Sequence, residues 1–269
     1  TGSIARNVPQ VASASNVLGT AVSYTSSNAT YSSATFDSNS NRVVAVYRDN
    51  GNSFYGTAAV GAINASDNSI TFGTPVVFES ASTGTVDIRA TFDSNSNKVV
   101  IAYQDNGNSS HGTAIVGTVD PSDNSISFGS AAVFESATTT SIAITFDSSN
   151  NKVVIFYRDE GDSNHGKTVV ATVSGTSISY GSVVAFEASE AVNKLTATFD
   201  SSSNKVLIAY NSKSKVGTVS GTSISFGSDA SFHNQTVDAT QATFDSSNNK
   251  VVLSFQDQGD NHGKVVVGT

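Results

Sequence analysis

Short apolar runs recur along the chain, most of them closed by an aromatic residue, as in Lys98-Val-Val-Ile-Ala-Tyr103 and Lys152-Val-Val-Ile-Phe-Tyr157. Runs of this length, bounded by turn residues, read as strands. Others alternate strictly, as in Ser125-Ile-Ser-Phe128, and read as strands with one buried face. Clusters of Gly, Asn, Asp and Ser separate the runs and supply turns. No stretch of useful length carries the 3.6-residue period, so no helix is expected.

One phrase repeats in register: Thr-Phe-Asp-Ser, a short Asn/Ser run, a basic residue, then an apolar run. Its Phe falls at Phe36, Phe92, Phe146, Phe199 and Phe244, and the basic residue six positions on is Arg42, Lys98, Lys152, Lys205 or Lys250. The run closes at Tyr47, Tyr103, Tyr157, Tyr210 or Phe255. Each unit then reads as four strands. Strand A ends in the Phe-Asp phrase (Ile142–Phe146) and strand B is the apolar run (Lys98–Tyr103). Strand C follows a Gly (Gly112–Val119), and strand D leads through Ser-Ile-Ser-Phe-Gly into an apolar tail (Ser125–Phe134).

Four strands in a unit of roughly 50 residues is the size of a propeller blade. The expectation is therefore an all-β chain of one domain, residues 1–269, folded as a five-bladed β-propeller with four antiparallel strands per blade. Bare sheet edges favour ring closure. The fifth unit stops after its third strand. Val17-Leu-Gly-Thr20 and Tyr24 line up with Thr71-Phe-Gly-Thr74 and Phe78, so residues 11–24 are expected to complete the fifth blade. Ala34, Ala90, Ala197 and Ala242, with Ile144 in the third unit, fit a narrow axis.

The loop between strands B and C carries the candidate chemistry. It holds Asp49, Asn52 and Tyr55 in unit 1 and Asp105, Asn108 and His111 in unit 2. Unit 3 has Asp159, Asp162 and His165, and unit 5 has Asp257, Asp260 and His262. Unit 4 breaks the pattern, running from Tyr210 through Lys213 and Lys215 to Gly217. Glu79, Glu135 and Glu187 fall on the D–A connections, on the same face. Two readings stand. Directional polar groups beside a ring or imidazole plane suit sugar recognition. The same Asp and Gly residues also suit a loop held by its own hydrogen bonds.

The formal net charge of −8 disfavours nucleic-acid binding. No apolar run is long enough for a membrane helix, so no membrane insertion is expected. Cys is absent, which removes disulfides and thiolate sites. Met is absent too, which marks a processed chain or a segment of a longer one. Asp and His give no clustered metal motif, and neither metal nor cofactor is expected. Sequons at Asn28, Asn64, Asn108 and Asn234 arise readily in so Asn/Ser/Thr-rich a chain. No nucleophile elbow, phosphate loop or zinc motif occurs. A glycosidase needs two unlike carboxylates, and Asp87, Glu190 and Asp238 are the few non-repeated acids of the D–A region. A non-enzymatic chain is expected.

The unit Phe92–Gly129 resembles repeats in structural proteins of marine phages, including cyanophages, and the resemblance extends over all five units. It implies an extracellular or virion protein, with a tail fibre or decoration as its setting and other virion or filament proteins as partners. The function expected is recognition or adhesion, with a glycan or cell-surface receptor as ligand. A structural or decoration subunit is the alternative, and a glycoside hydrolase the second. Lectin propellers are similar in architecture but commonly carry Trp, which this chain lacks.

Overall fold

The computed structural model describes residues 18–84 and 88–268. Unit 1 runs β1 (Ala29–Asp37), β2 (Arg42–Asp49), β3 (Tyr55–Asn64) and β4 (Ser69–Phe72), followed by β5 (Val76–Ser82). Unit 2 has β6 (Arg89–Asp93), β7 (Lys98–Asp105), β8 (His111–Asp120) and β9 (Ser125–Phe128). The long β10 (Ala132–Asp147) leads into unit 3, with β11 (Lys152–Asp159), β12 (His165–Ser174), β13 (Ser177–Tyr180) and β14 (Val184–Glu187). Unit 4 has β15 (Thr196–Asp200), β16 (Lys205–Tyr210), β17 (Lys213–Ser220), β18 (Ser223–Phe226) and β19 (Ala230–Ser231). Unit 5 has β20 (Val237–Asp245), β21 (Lys250–Asp257) and β22 (Gly263–Gly268). All pairings are antiparallel.

The fourth strand is split. In unit 1, β4 pairs with the end of β3 and β5 with its beginning, the break falling at Gly73-Thr74-Pro75. The Gly73 N–H donates to the Val60 carbonyl at 2.9 Å, and Gly129, Gly181 and Gly227 repeat the bond in units 2 to 4. A Cβ on Gly73 would lie 2.2 Å from the Asn124 carbonyl oxygen, so only glycine lets unit 1 abut the C–D turn of unit 2.

The second strands bury both faces, which explains their unbroken apolar runs. In β7, Val99, Ile101 and Tyr103 pack with Val44, Val46, Ala58 and Val60 of unit 1. Val100 and Ala102 point the other way, onto Val153, Ile155 and Tyr157 of unit 3. Val154, Phe156 and Val170 continue the pattern against Val206, Ile208 and Tyr210 of unit 4. Each such side chain contributes about 1.5–3 kcal/mol by leaving water. The small residues expected at the axis, Ala34, Ala90, Ile144, Ala197 and Ala242, line one cavity of about 250 Å³ with contributions from all five units.

The A–B turns repeat one device. Asp37, Asp93, Asp147, Asp200 and Asp245 each accept backbone N–H bonds from the residues two and three positions on. Asn41, Asn97, Asn151, Asn204 and Asn249 complete the turns with φ of 55–56°. The basic residue of the phrase does not serve this Asp in unit 1. Arg42 instead donates to Asn124 Oδ1 and the Pro121 carbonyl in unit 2.

Residues 11–17 lie outside the described part of the chain. Residues 18–24 are not in a strand, and β22 pairs only with β21 among the described residues. Val265 and Val267 on β22 are 65% and 60% exposed, whereas Ala58 and Val60 at the matching positions of β3 are buried. Tyr24 nevertheless sits where the alignment puts it. Its ring lies 5.0 Å from Tyr47 and 5.8 Å from Phe72, as Phe78 lies 5.2 Å from Tyr103 and 5.8 Å from Phe128.

Candidate functional site

The B–C loops are built around their first aspartate. The Gly51, Gly161 and Gly259 N–H groups donate to Oδ1 of Asp49, Asp159 and Asp257, at 3.0, 2.9 and 2.7 Å. In unit 2 the Asn108 N–H donates to Asp105 Oδ1 at 3.1 Å. These carboxylates are turn caps. Asp49 also accepts from the Ser27 hydroxyl. Burial, with Glu135 adding to it, pushes the Asp159 carboxyl above its ordinary range. Lys264 chiefly, then the Gly259 N–H, holds Asp257 at about 2. His233 Nε2 lies 3.0 Å from the same carboxylate.

The other candidates divide. Asp162 pairs with Lys167 and lies 3.4 Å from His165 Nδ1. Asp260 accepts from the His262 N–H at 2.9 Å and from Lys264 at 3.0 Å. His262 projects into solvent with its side chain 78% exposed, and Asn52 is exposed. Tyr55 and His111 open β3 and β8 opposite Asp49 and Asp105, and both are half-buried.

The glutamates of the D–A connections hold the junctions between units. The Tyr103, Tyr157 and Tyr210 hydroxyls donate to Glu79, Glu135 and Glu187 at 2.9, 3.0 and 3.2 Å. Each glutamate also accepts a backbone N–H two residues on. At unit 1 the matching pair is Tyr47 and Thr25, so the buried Tyr47 hydroxyl has no carboxylate partner among the described residues. At unit 5 the pair is Phe255 and His233, so hydroxyl and carboxylate are lost together.

Unit 4 replaces its missing loop with charge. Lys215 stands where β3, β8 and β12 carry Ala59, Ile115 and Val169. It reaches Asp229 at 2.9 Å and Glu187 at 3.8 Å. Burial opposes ionisation of Glu187, but the Ser189 bonds and Lys215 outweigh it and hold the carboxyl at about 2. Two of the three non-repeated acids are neutralised. Glu190 pairs with Lys213 at 2.8 Å and Asp238 with Lys194 at 2.7 Å, while Asp87 lies outside the described residues.

On this common frame three positions per unit vary. The first follows the closing residue of strand B and is Arg48, Gln104, Arg158, Asn211 and Gln256 in units 1 to 5. The second is a left-handed residue late in the loop: Phe54, Ser110, Asn164 and, in unit 5, Asn261 (φ 60–64°). The third is a left-handed residue entering strand A: Tyr31, Ser141, Lys194 and Ala239 in units 1, 3, 4 and 5 (φ 48–58°). They meet in space. Arg48 lies 4.3 Å from the Phe54 ring centre and 5.8 Å from that of Tyr31. Arg158 instead donates to Asn164 Oδ1 at 2.9 and 2.7 Å and to Asn193 Oδ1 at 2.7 Å. The sequence pattern points to the aspartates and misses this cluster, because repetition marks the frame and these positions do not repeat.

A cleft of about 850 Å³ lies beside unit 1, lined by Tyr24, Thr25, Tyr47, Asp49, Asn52 and Phe72 among others. No three His or acidic residues converge in a metal-binding arrangement among the described residues. No described helix is long and apolar enough to cross a membrane.

No family model matches the sequence, and no curated protein matches it. In three dimensions the chain is similar to AofleA from Arthrobotrys oligospora, with a TM-score of 0.57 at 9% identity over 88% of this chain and 68% of that one. It is similar to a protein of unknown function from Dyadobacter fermentans DSM 18053, with a TM-score of 0.61 at 11% identity over 90% and 79%. A protein from Lactobacillus plantarum gives 0.57 at 12% identity over 87% and 69%. At such identities the likeness is one of fold, and that fold is all-β, antiparallel and propeller-like.

Proposed function

We propose that the chain is a single closed five-bladed propeller whose B–C loop face is a non-enzymatic recognition surface. Its ligand is a cell-surface glycan or receptor, and its setting a phage tail or another extracellular assembly. The observation that carries the functional reading is the division of labour on that face. Asp49, Asp105, Asp159 and Asp257 fix the loop backbone, while the side chains offered at the left-handed positions differ from unit to unit. A constant frame with variable tips is how rigid scaffolds present binding residues. The repeat's resemblance to marine phage proteins supplies the setting.

Closure is supported by matched halves left at the seam. Cβ atoms on Gly56, Gly112 and Gly166 would each lie 2.4 Å from Phe78, Phe134 or Phe186, because the aromatic covers the glycine. Gly263 keeps the glycine with no described atom within 4 Å of a Cβ placed there, and Tyr24 keeps the ring beside an open cleft. In the register of β3 with β5, closing the seam sets Lys264 opposite Ser23. A Ser23→Cys/Lys264→Cys pair in this Cys-free chain should form an intramolecular disulfide under mild oxidation. A pair that stays reduced, or links only between molecules, rejects closure.

Recognition is tested by a glycan-array screen of the 269-residue chain, with calcium and with chelator. Saturable binding should be lost when Phe54→Asn, His111→Ala and His262→Ala are combined, with no fall in melting temperature. Absence of binding in both conditions would instead favour a structural or decoration subunit. Turnover of any glycan would favour the hydrolase.

A further inference from the structure

Three departures from the common frame fall together in unit 1. Tyr31 and Phe54 take left-handed backbone (φ 52° and 64°) and are 40% and 43% exposed. That conformation strains a bulky aromatic residue, and the other described units place Ser, Asn, Lys or Ala there. Arg48 lies over both rings, and its Nε is buried without a hydrogen bond. Among the described residues no acceptor and no carboxylate contacts its guanidinium. An orphaned donor of this kind is costly, and Arg158 shows that the frame satisfies an arginine here when Asn164 and Asn193 are present.

We infer that Tyr31, Arg48 and Phe54 form a binding site for a carboxylate-bearing saccharide. The inference rests on the recognition reading above and narrows it to one unit and one ligand class. A planar guanidinium offers a fork of donors that matches a carboxylate, and stacking on a ring pre-orients it. The exposed aromatic faces beside it suit the apolar face of a pyranose. Charge points the same way. On this face Lys167, Lys194, Lys213, Lys215 and Lys264 all sit on carboxylates, and among the described residues Arg48 has none. Asp49, the next residue, does not oppose an anion from the same side. Successive strand residues face opposite ways, and its carboxylate is taken by the Gly51 N–H and Ser27.

The test measures binding of oligosaccharides of galacturonate, mannuronate and glucuronate beside their methyl esters, which keep the rings and lose the charge. The variants use residues the repeat itself carries at these positions. Arg48→Gln copies Gln104 and Phe54→Ser copies Ser110, so the frame is preserved and the asparagine that seals Arg158 is not introduced beside Arg48. At least one free acid should bind about tenfold or more tighter than its ester. Arg48→Gln should abolish that preference, and Phe54→Ser should weaken acid and ester alike. The inference is overturned if no acid is preferred over its ester, or if Arg48→Gln leaves the affinities unchanged. Array binding of neutral glycans insensitive to Arg48→Gln would remove this site and leave the recognition reading standing. Absence of any glycan binding would remove both.

Discussion

Units 1 and 3 share a backbone, a turn-capping aspartate and an arginine at the end of strand B, yet they use the arginine in opposite ways. In unit 3 it is sealed by two asparagines and lies 3.9 Å from Glu160. In unit 1 it is propped between two exposed rings. The difference extends inward. The Tyr157 hydroxyl donates to Glu135, whereas the buried Tyr47 hydroxyl has no carboxylate partner among the described residues. Unit 3 is built for stability, and unit 1 forgoes the same bonds at the same positions. Local cost of this kind is expected where a surface serves a ligand.

The largest way to widen the contrast is at the exit of unit 3. Lys215→Ala strips Glu187 of a partly buried cation. It should cost about 2–3 kcal/mol in chemical denaturation, below the range for fully buried pairs because Lys215 keeps some solvent contact. The same junction sets an acid limb. The Glu187 carboxyl is held at about 2, below its unfolded value, so its contribution is full above the ordinary carboxylate range. That contribution should be lost as pH falls from about 4.5 towards 2, and Lys215→Met should flatten this limb of a stability–pH curve. Next, Tyr157→Phe should lower stability by about 1–2 kcal/mol, and Tyr47→Phe should leave it unchanged or slightly raised. Arg158→Gln should cost about 1 kcal/mol against less than about 0.5 kcal/mol for Arg48→Gln, both read by melting. Smallest is Phe54→Asn, which relieves a strained φ and should stabilise by about 0.5–1 kcal/mol.

Much of the frame was legible in the sequence, because it is written five times. The turn aspartates and the aromatic that closes strand B follow from local chemistry and period, and the structure has them in place. So do the alanines on the axial cavity. The candidate site was legible only in part. Asp49, Asp105, Asp159 and Asp257 stood out by repetition, and repetition marks what the backbone needs. Tyr31, Arg48 and Phe54 are spread over 24 positions and match no motif, so only the fold brings them together. The Tyr–Glu bonds across junctions were equally hidden, since each partner belongs to a different strand pair. Residues 18–24 show the limit of alignment. Tyr24 lies against Tyr47 as Phe78 lies against Tyr103, but residues 18–24 do not form the paired strand expected there.

The most direct test of a constant frame with exchangeable tips is to build the unit 1 site in unit 3, where the arginine already stands. Ser141→Tyr and Asn164→Phe supply both rings, and Asn193→Val with Glu160→Asn, copying Val86 and Asn50, clear the remaining acceptor and carboxylate from Arg158. Calorimetric titration with the preferred uronate oligosaccharide should then give two sites per chain in place of one. A folded quadruple variant that still binds one equivalent, or a parent chain that binds none, would contradict the account.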